Sequence, residues 1–74
     1  MDTTHNTVEI GQAWSIWDAG RRQWLLGTVT RRAEGQATLR YDPRYRIGIG
    51  HDERRVDEST MLEAPNLFRL IPAM

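Results

Sequence analysis

Apolar residues recur at every second position over much of the chain. From Val8 the sequence alternates, with Val8, Ile10, Trp14 and Ile16 on one parity and Gly11, Ala13 and Ser15 on the other. A period of two marks a half-buried strand. Trp17 has the parity opposite to Trp14 and Ile16, so it belongs to the other face. Asp18-Ala19-Gly20 then supplies turn chemistry, with Gly20 free to take a positive φ. A second strand is predicted over Gln23 to Arg31. Leu25, Gly27 and Val29 share one of its faces, and Trp24, Leu26 and Thr28 the other. Apolar residues on both faces suit a central, strongly bent strand, and Gly27 permits the bend or a close backbone approach. Ala33-Glu34-Gly35 is a hairpin signal, followed by a third strand over Gln36 to Asp42 with Ala37, Leu39 and Tyr41 in phase.

Asp42-Pro43 ends that strand, because proline cannot join a central ladder. Residues 43–50 hold a proline and two glycines without periodicity and read as a loop. His51 to Asp57 is a fourth strand, poorly signalled and highly charged. Thr60-Met61-Leu62-Glu63 matches a threonine-x-x-glutamate capping box, which predicts one helical turn before Pro65 stops it. Asn66 to Ile71 is the last short strand. Trp14, Ile16, Val29, Leu39, Leu62, Phe68 and Leu70 form the expected core. The polar first seven residues are expected to be disordered, leaving one domain over residues 8–72. Five brief strands with a helical turn before the fifth give an all-β chain with the arrangement of an SH3-like barrel.

With 74 residues and no cysteine, the chain has neither disulfides nor thiolate metal sites to strengthen a small core. Stability of only a few kcal/mol is expected, from a compact core, from self-association, or from both. No apolar segment resembles a leader peptide, and none approaches the roughly 18 residues of a membrane helix. A soluble, cytoplasmic protein without membrane contact is the expectation. All ten basic residues are arginine and the net charge is zero, but the charge is unevenly spread. Residues 21–46 carry seven arginines against Glu34 and Asp42, and acidic residues dominate on either side. The basic middle is either a surface for an anion or the folded complement of the acidic ends.

The stretch Gly11-Gln-Ala-Trp-Ser-Ile-Trp17-Asp-Ala-Gly20, followed by Trp24-Leu-Leu-Gly27-Thr-Val29 and Leu39-Arg-Tyr41-Asp42, resembles the opening half of a Tudor domain. The shared pattern is an alternating strand ending in an aromatic, an acidic-glycine turn, then aromatic-x-small-x-aliphatic. The resemblance spans residues 11–45 and implies a small barrel of the Tudor kind. In members that bind methylated cations, aromatic walls form a cage whose ring faces attract a poorly hydrated cation. By position Trp17 would be the first wall, Tyr41 the second and Tyr45 the third. Leu25 stands where the family has a cage tyrosine, with Trp24 one residue out of register, and Arg46 falls near the last polar partner. Both departures argue against a methylated-cation ligand.

Two surfaces remain as candidates. Trp17, Trp24, Tyr41 and Tyr45 form an aromatic patch for a protein or peptide partner, since tryptophan and tyrosine are favoured interface anchors. Arg21, Arg22, Arg31, Arg32, Arg40, Arg44 and Arg46, interleaved with those rings, form the alternative, a stacking and phosphate-binding platform for nucleic acid. A pI near 6.7 counts against that alternative, because nucleic-acid-binding domains usually exceed about 9. His51-Asp52-Glu53 does not converge on one face of a strand, and Gly48-Ile49-Gly50 lacks the lysine and helix of a phosphate loop. No nucleophile is paired with a base. The expected function is therefore a non-catalytic binding module without metal or cofactor; a self-associating structural subunit is the third possibility.

Overall fold

The computed structural model describes residues 7–45 and 53–72. Five strands, β1 (Ala13–Asp18), β2 (Gln23–Ala33), β3 (Gln36–Tyr41), β4 (Glu53–Asp57) and β5 (Phe68–Ile71), form one antiparallel sheet in the order β4-β3-β2-β1-β5. A 3-10 turn, Pro43–Tyr45, follows β3, and a short helix α1 (Glu58–Glu63) separates β4 from β5. The chain is all-β, as expected. The sheet ends on β4 and β5 rather than closing by a strand pairing. Side chains still meet across those ends, with the Arg54 guanidinium 5.6 Å from the centre of the Phe68 ring.

Alternation decides which face is buried. Trp14 and Ile16 of β1, Leu25 and Val29 of β2, Ala37, Leu39 and Tyr41 of β3, Val56 of β4 and Phe68 of β5 all point inward, as their strand parity requires. Met61 of α1 and Val8 close the core from the side, each 1% exposed. The β2–β3 hairpin has a two-residue loop in which Glu34 and Gly35 both take positive φ, the geometry that matches the twist of the paired strands. A bulge between Val29 and Arg31 adds one unpaired residue and bends β2.

Several expectations are corrected. The first strand begins at Ala13, not Val8, because Gly11 at φ 97° turns the chain. Ile10 loses its parity there and is 65% exposed. In the β1–β2 loop the left-handed residue is Arg22, not Gly20. The Asp18 carboxylate accepts from the Gly20 and Arg21 amides and so shapes the turn before Gly20 would need unusual backbone. Thr60 does not cap the helix: α1 starts two residues earlier, directly after β4, with Asp57 at its N-cap. The Asp57 carboxylate makes no cap bond and instead accepts from Gln36 Nε2 at 3.0 Å. Leu62 and Leu70, expected in the core, are 38% and 40% exposed. The one-turn helix buries Met61 in place of Leu62, and Leu70 lies on the edge strand. The last strand starts at Phe68 rather than Asn66, and the second runs to Ala33. The expected disorder of residues 1–6, and the readings placed on Arg46, Gly48-Ile49-Gly50, His51 and Asp52, lie outside the described residues.

Arg32 at the end of β2 grips Glu58 with two bonds, Nε to Oε2 at 2.7 Å and Nη2 to Oε1 at 3.1 Å. The hydrogen bond from Arg32 holds the Glu58 carboxyl below its ordinary value of 4.5. A carboxyl with a depressed folded-state pKa contributes stability above its unfolded value, and loses it as pH falls through the folded one. The melting temperature should therefore decline as pH drops below about 4.5, and Arg32→Gln should flatten part of that decline in calorimetric scans. A variant curve running parallel to the native one would remove this pair from the acid response.

Candidate functional site

Trp17 is the fifth residue of β1, directly across from Trp24 of β2. Their ring centres are 5.4 Å apart at 61°, an edge-to-face contact. The backbone amide of Trp17 donates to Leu67 O at 2.8 Å, which fixes the chain leading into β5 beside it. Arg69 also lies over the Trp24 ring, its guanidinium carbon 4.5 Å from the ring centre, and its Nε donates to Pro65 O. Trp24 thus contacts both an indole and a cation.

Beside Trp17 the sheet leaves an open groove of about 600 Å³. Ile16, Trp17, Leu25, Tyr41 and Leu67 supply its apolar walls, and Asp18, Arg21 and Arg54 its charged ones. Trp17 stands half-buried on one side, whereas Tyr41, only 6% exposed, forms part of the floor. The groove brings together Trp17, Leu25 and Tyr41, and Trp24 joins them only through its contact with Trp17. Tyr45 ends the 3-10 turn, and its side chain lies outside the described residues.

Among the described residues, the arginines do not gather on one rim. Arg21 Nη1 meets Asp18 Oδ2 at 2.8 Å; this side-chain bond is the largest influence lowering the Asp18 pKa, helped by the Arg21 and Gly20 amides. Arg32 is held by Glu58, and Arg44 makes a fork to Asp42 with bonds of 3.1 and 3.2 Å. Arg22 is exposed in the first turn, and Arg40 lies outward on β3 across from Thr28 and Glu53. Arg31 forms an outward row with Thr38 and Arg55 across three strands, in a shallow depression that also contains Glu34 and Glu53. Among the described residues, no three histidine, cysteine or acidic side chains are placed to hold a metal ion, and no helix is long and apolar enough to cross a membrane.

Sequence reasoning missed Arg54 as a groove residue. Its signal is parity: Arg54 and Val56 alternate with Glu53 and Arg55, and Val56 is the apolar member of β4. An arginine in phase with the buried residue of a strand points toward the core side of the sheet.

Set against known proteins, the chain matches no family model, and no curated protein or solved structure is significantly similar to it.

Proposed function

We propose that the chain is a non-catalytic binding module, a small SH3-like barrel that takes a peptide segment of a partner protein into the groove beside Trp17. The barrel reading draws on the strand order, in which β1 to β4 form a meander and β5 returns beside β1. The meeting of Arg54 with Phe68 across the two sheet ends supports it further. The peptide reading rests on one observation. A tryptophan stays half-exposed at the rim of an apolar-walled groove while Trp14, three residues earlier, is 3% exposed in a core that is complete without it. Rigid aromatic rims that are wet in the free protein and dry in a complex are favoured binding anchors.

The arginine alternative draws less support, since Arg21, Arg32 and Arg44 are matched to carboxylates of the same chain. Self-association would use a different surface, the exposed Leu62, Leu70 and Ile71 beside edge strand β5, and is compatible with an occupied groove. The decisive test is selection of peptides from a displayed library on the immobilised full chain, followed by affinity measurement with native protein and Trp17→Ala. Trp17→Ala should weaken the selected peptides at least tenfold. Its stability cost should be about 1–2 kcal/mol, the scale of a half-buried ring with one aromatic contact. Equal affinity for both proteins, or a library that yields no binder, would end the groove reading.

A further inference from the structure

We infer that the groove beside Trp17 selects an anionic peptide element, a carboxylate next to an apolar side chain, with Arg54 as the residue that holds the carboxylate. This rests on the peptide-binding reading above and names the chemistry of its ligand.

Three charged side chains line the groove. Asp18 and Arg21 pair with each other at 2.8 Å, so their charges largely cancel toward a third group. Arg54 has no carboxylate partner among the described residues. Its neighbour Glu53 lies across from Arg40, whereas Arg54 lies across from Leu39. Strand alternation sends the Glu53 side chain to the outer face, and although Glu53 and Arg54 both border a depression there, no salt bridge joins them. Among the described residues, the groove is left with one positive charge, at its edge, that no carboxylate matches.

Placement strengthens the case. Arg54 occupies a position in phase with Val56, on the side of the sheet that faces the core, and its guanidinium lies over the Phe68 ring at 5.6 Å. An arginine stacked on a ring has fewer rotamers to lose on binding, and its N–H edge remains available for a bidentate carboxylate. Trp17 and Leu67, the apolar lining residues that keep exposed surface, reward a neighbouring aliphatic or aromatic side chain. A methylated cation would meet the Arg54 charge and be repelled. A neutral ligand would leave that charge unanswered.

The test uses isotope-labelled full chain, following the Trp17 indole and Leu25 amide resonances during titration with four probes. These are N-acetyl-Leu-Phe with a free C-terminal carboxylate, the same dipeptide as its C-terminal amide, N-acetyl-Glu-Phe amide, and N-acetyl-trimethyllysine amide. At least one carboxylate probe should shift both resonances and bind at least fivefold more tightly than the Leu-Phe amide. The free acid against the glutamyl compound distinguishes a chain terminus from an acidic side chain as the source. Arg54→Gln should lose that fivefold preference and Arg54→Lys should retain part of it. The comparison of acid with amide on native protein stands even if the variants fold poorly. Equal binding of acid and amide would overturn the carboxylate assignment and leave the aromatic groove standing, as would trimethyllysine binding that strengthens in Arg54→Gln. Silence of both resonances toward all four probes also overturns the assignment, and the Trp17→Ala affinity comparison then decides the wider reading.

Discussion

Trp14→Ala should leave about half of the molecules or more unfolded at 25 °C, whereas Trp14→Phe should fold with a modest loss. Trp14 is 3% exposed and sits in the middle of the buried cluster, across from Gly27 on one side and Leu70 on the other. Truncating a buried tryptophan to alanine costs about 3–5 kcal/mol, because transfer and cavity terms add. A domain of this size without staples holds roughly 3–5 kcal/mol in total, so the loss matches the reserve. Trp14 also anchors the segment before β1. Its Nε1 donates to Gln12 Oε1 at 3.1 Å, and the same oxygen accepts from the Glu9 amide at 2.9 Å. Gln12 Nε2 donates in turn to Thr7 O, and backbone bonds join Gly11 and Gln12 to Val29. Phenylalanine keeps most of the apolar contact, and loses the indole bond, worth about 1 kcal/mol, together with part of the ring's volume. Urea denaturation followed by far-ultraviolet circular dichroism measures both. A Trp14→Ala midpoint no lower than that of Trp17→Ala would reverse the assignment of core and rim.

The parity of apolar residues made most of this sheet readable in advance. Leu25 and Val29, Ala37 and Leu39, and Trp14 and Ile16 each keep one phase through a strand, and all are buried. The failures fall where local chemistry ends that phase. Gly11 reverses the chain between Ile10 and Trp14, so an alternation that looks continuous from Val8 is broken by a turn. At Thr60 a capping pattern was present but idle, since the preceding strand already sets the helix start. Leu62 and Met61 are adjacent on a helix of six residues, and only the packing of the helix against the sheet decides which one is buried.

The site was less legible than the fold. Trp17 is marked by its parity, and Tyr41 by its place at the end of β3, but nothing local says that their side chains line one groove with Leu25. That proximity comes from the pairing of Ile16 with Leu25 and of Gly27 with Tyr41, a register across three consecutive strands that the turns between them set. The charge reading changed more. Seven arginines in the middle of the chain suggest one basic surface, yet Asp18, Asp42 and Glu58 each take one of them. What remains at the groove is Arg54, outside the basic stretch altogether. A local charge excess says little about the field at a site when acidic partners neutralise it, two of them near neighbours in sequence and one, Glu58, from the distant helix.

Gly27→Val should cost about 3 kcal/mol or more, and Gly27→Ala about 1–2 kcal/mol, the range seen when methyl groups are forced into a packed core. Gly27 lies in mid-strand between Trp14 and Tyr41. A Cβ there would stand 2.9 Å from Ile16 Cδ1, 3.5 Å from Arg40 O and 3.6 Å from Leu39 Cβ. The Ile16 tip would have to move, but Ile16 is 1% exposed and Leu39 entirely buried, so there is little space to receive it. The reduced freedom of the unfolded alanine chain offsets roughly 0.4–1 kcal/mol of the clash, which is why the alanine effect stays moderate. Valine shares that offset but brings two further methyl carbons, whose clash outweighs it. Because the clash is with one atom, removing that atom should relieve it. Ile16→Val deletes Cδ1 at a cost of about 0.5–1.5 kcal/mol, and combined with Gly27→Ala it should be less destabilising than the sum of the two single changes by about 1 kcal/mol. Strict additivity in a denaturation cycle would show that Gly27 is small for another reason. Ile16 and Tyr41 also line the groove, so the same double variant should recover any peptide affinity that Gly27→Ala loses, tying the tightness of the sheet to the shape of the site.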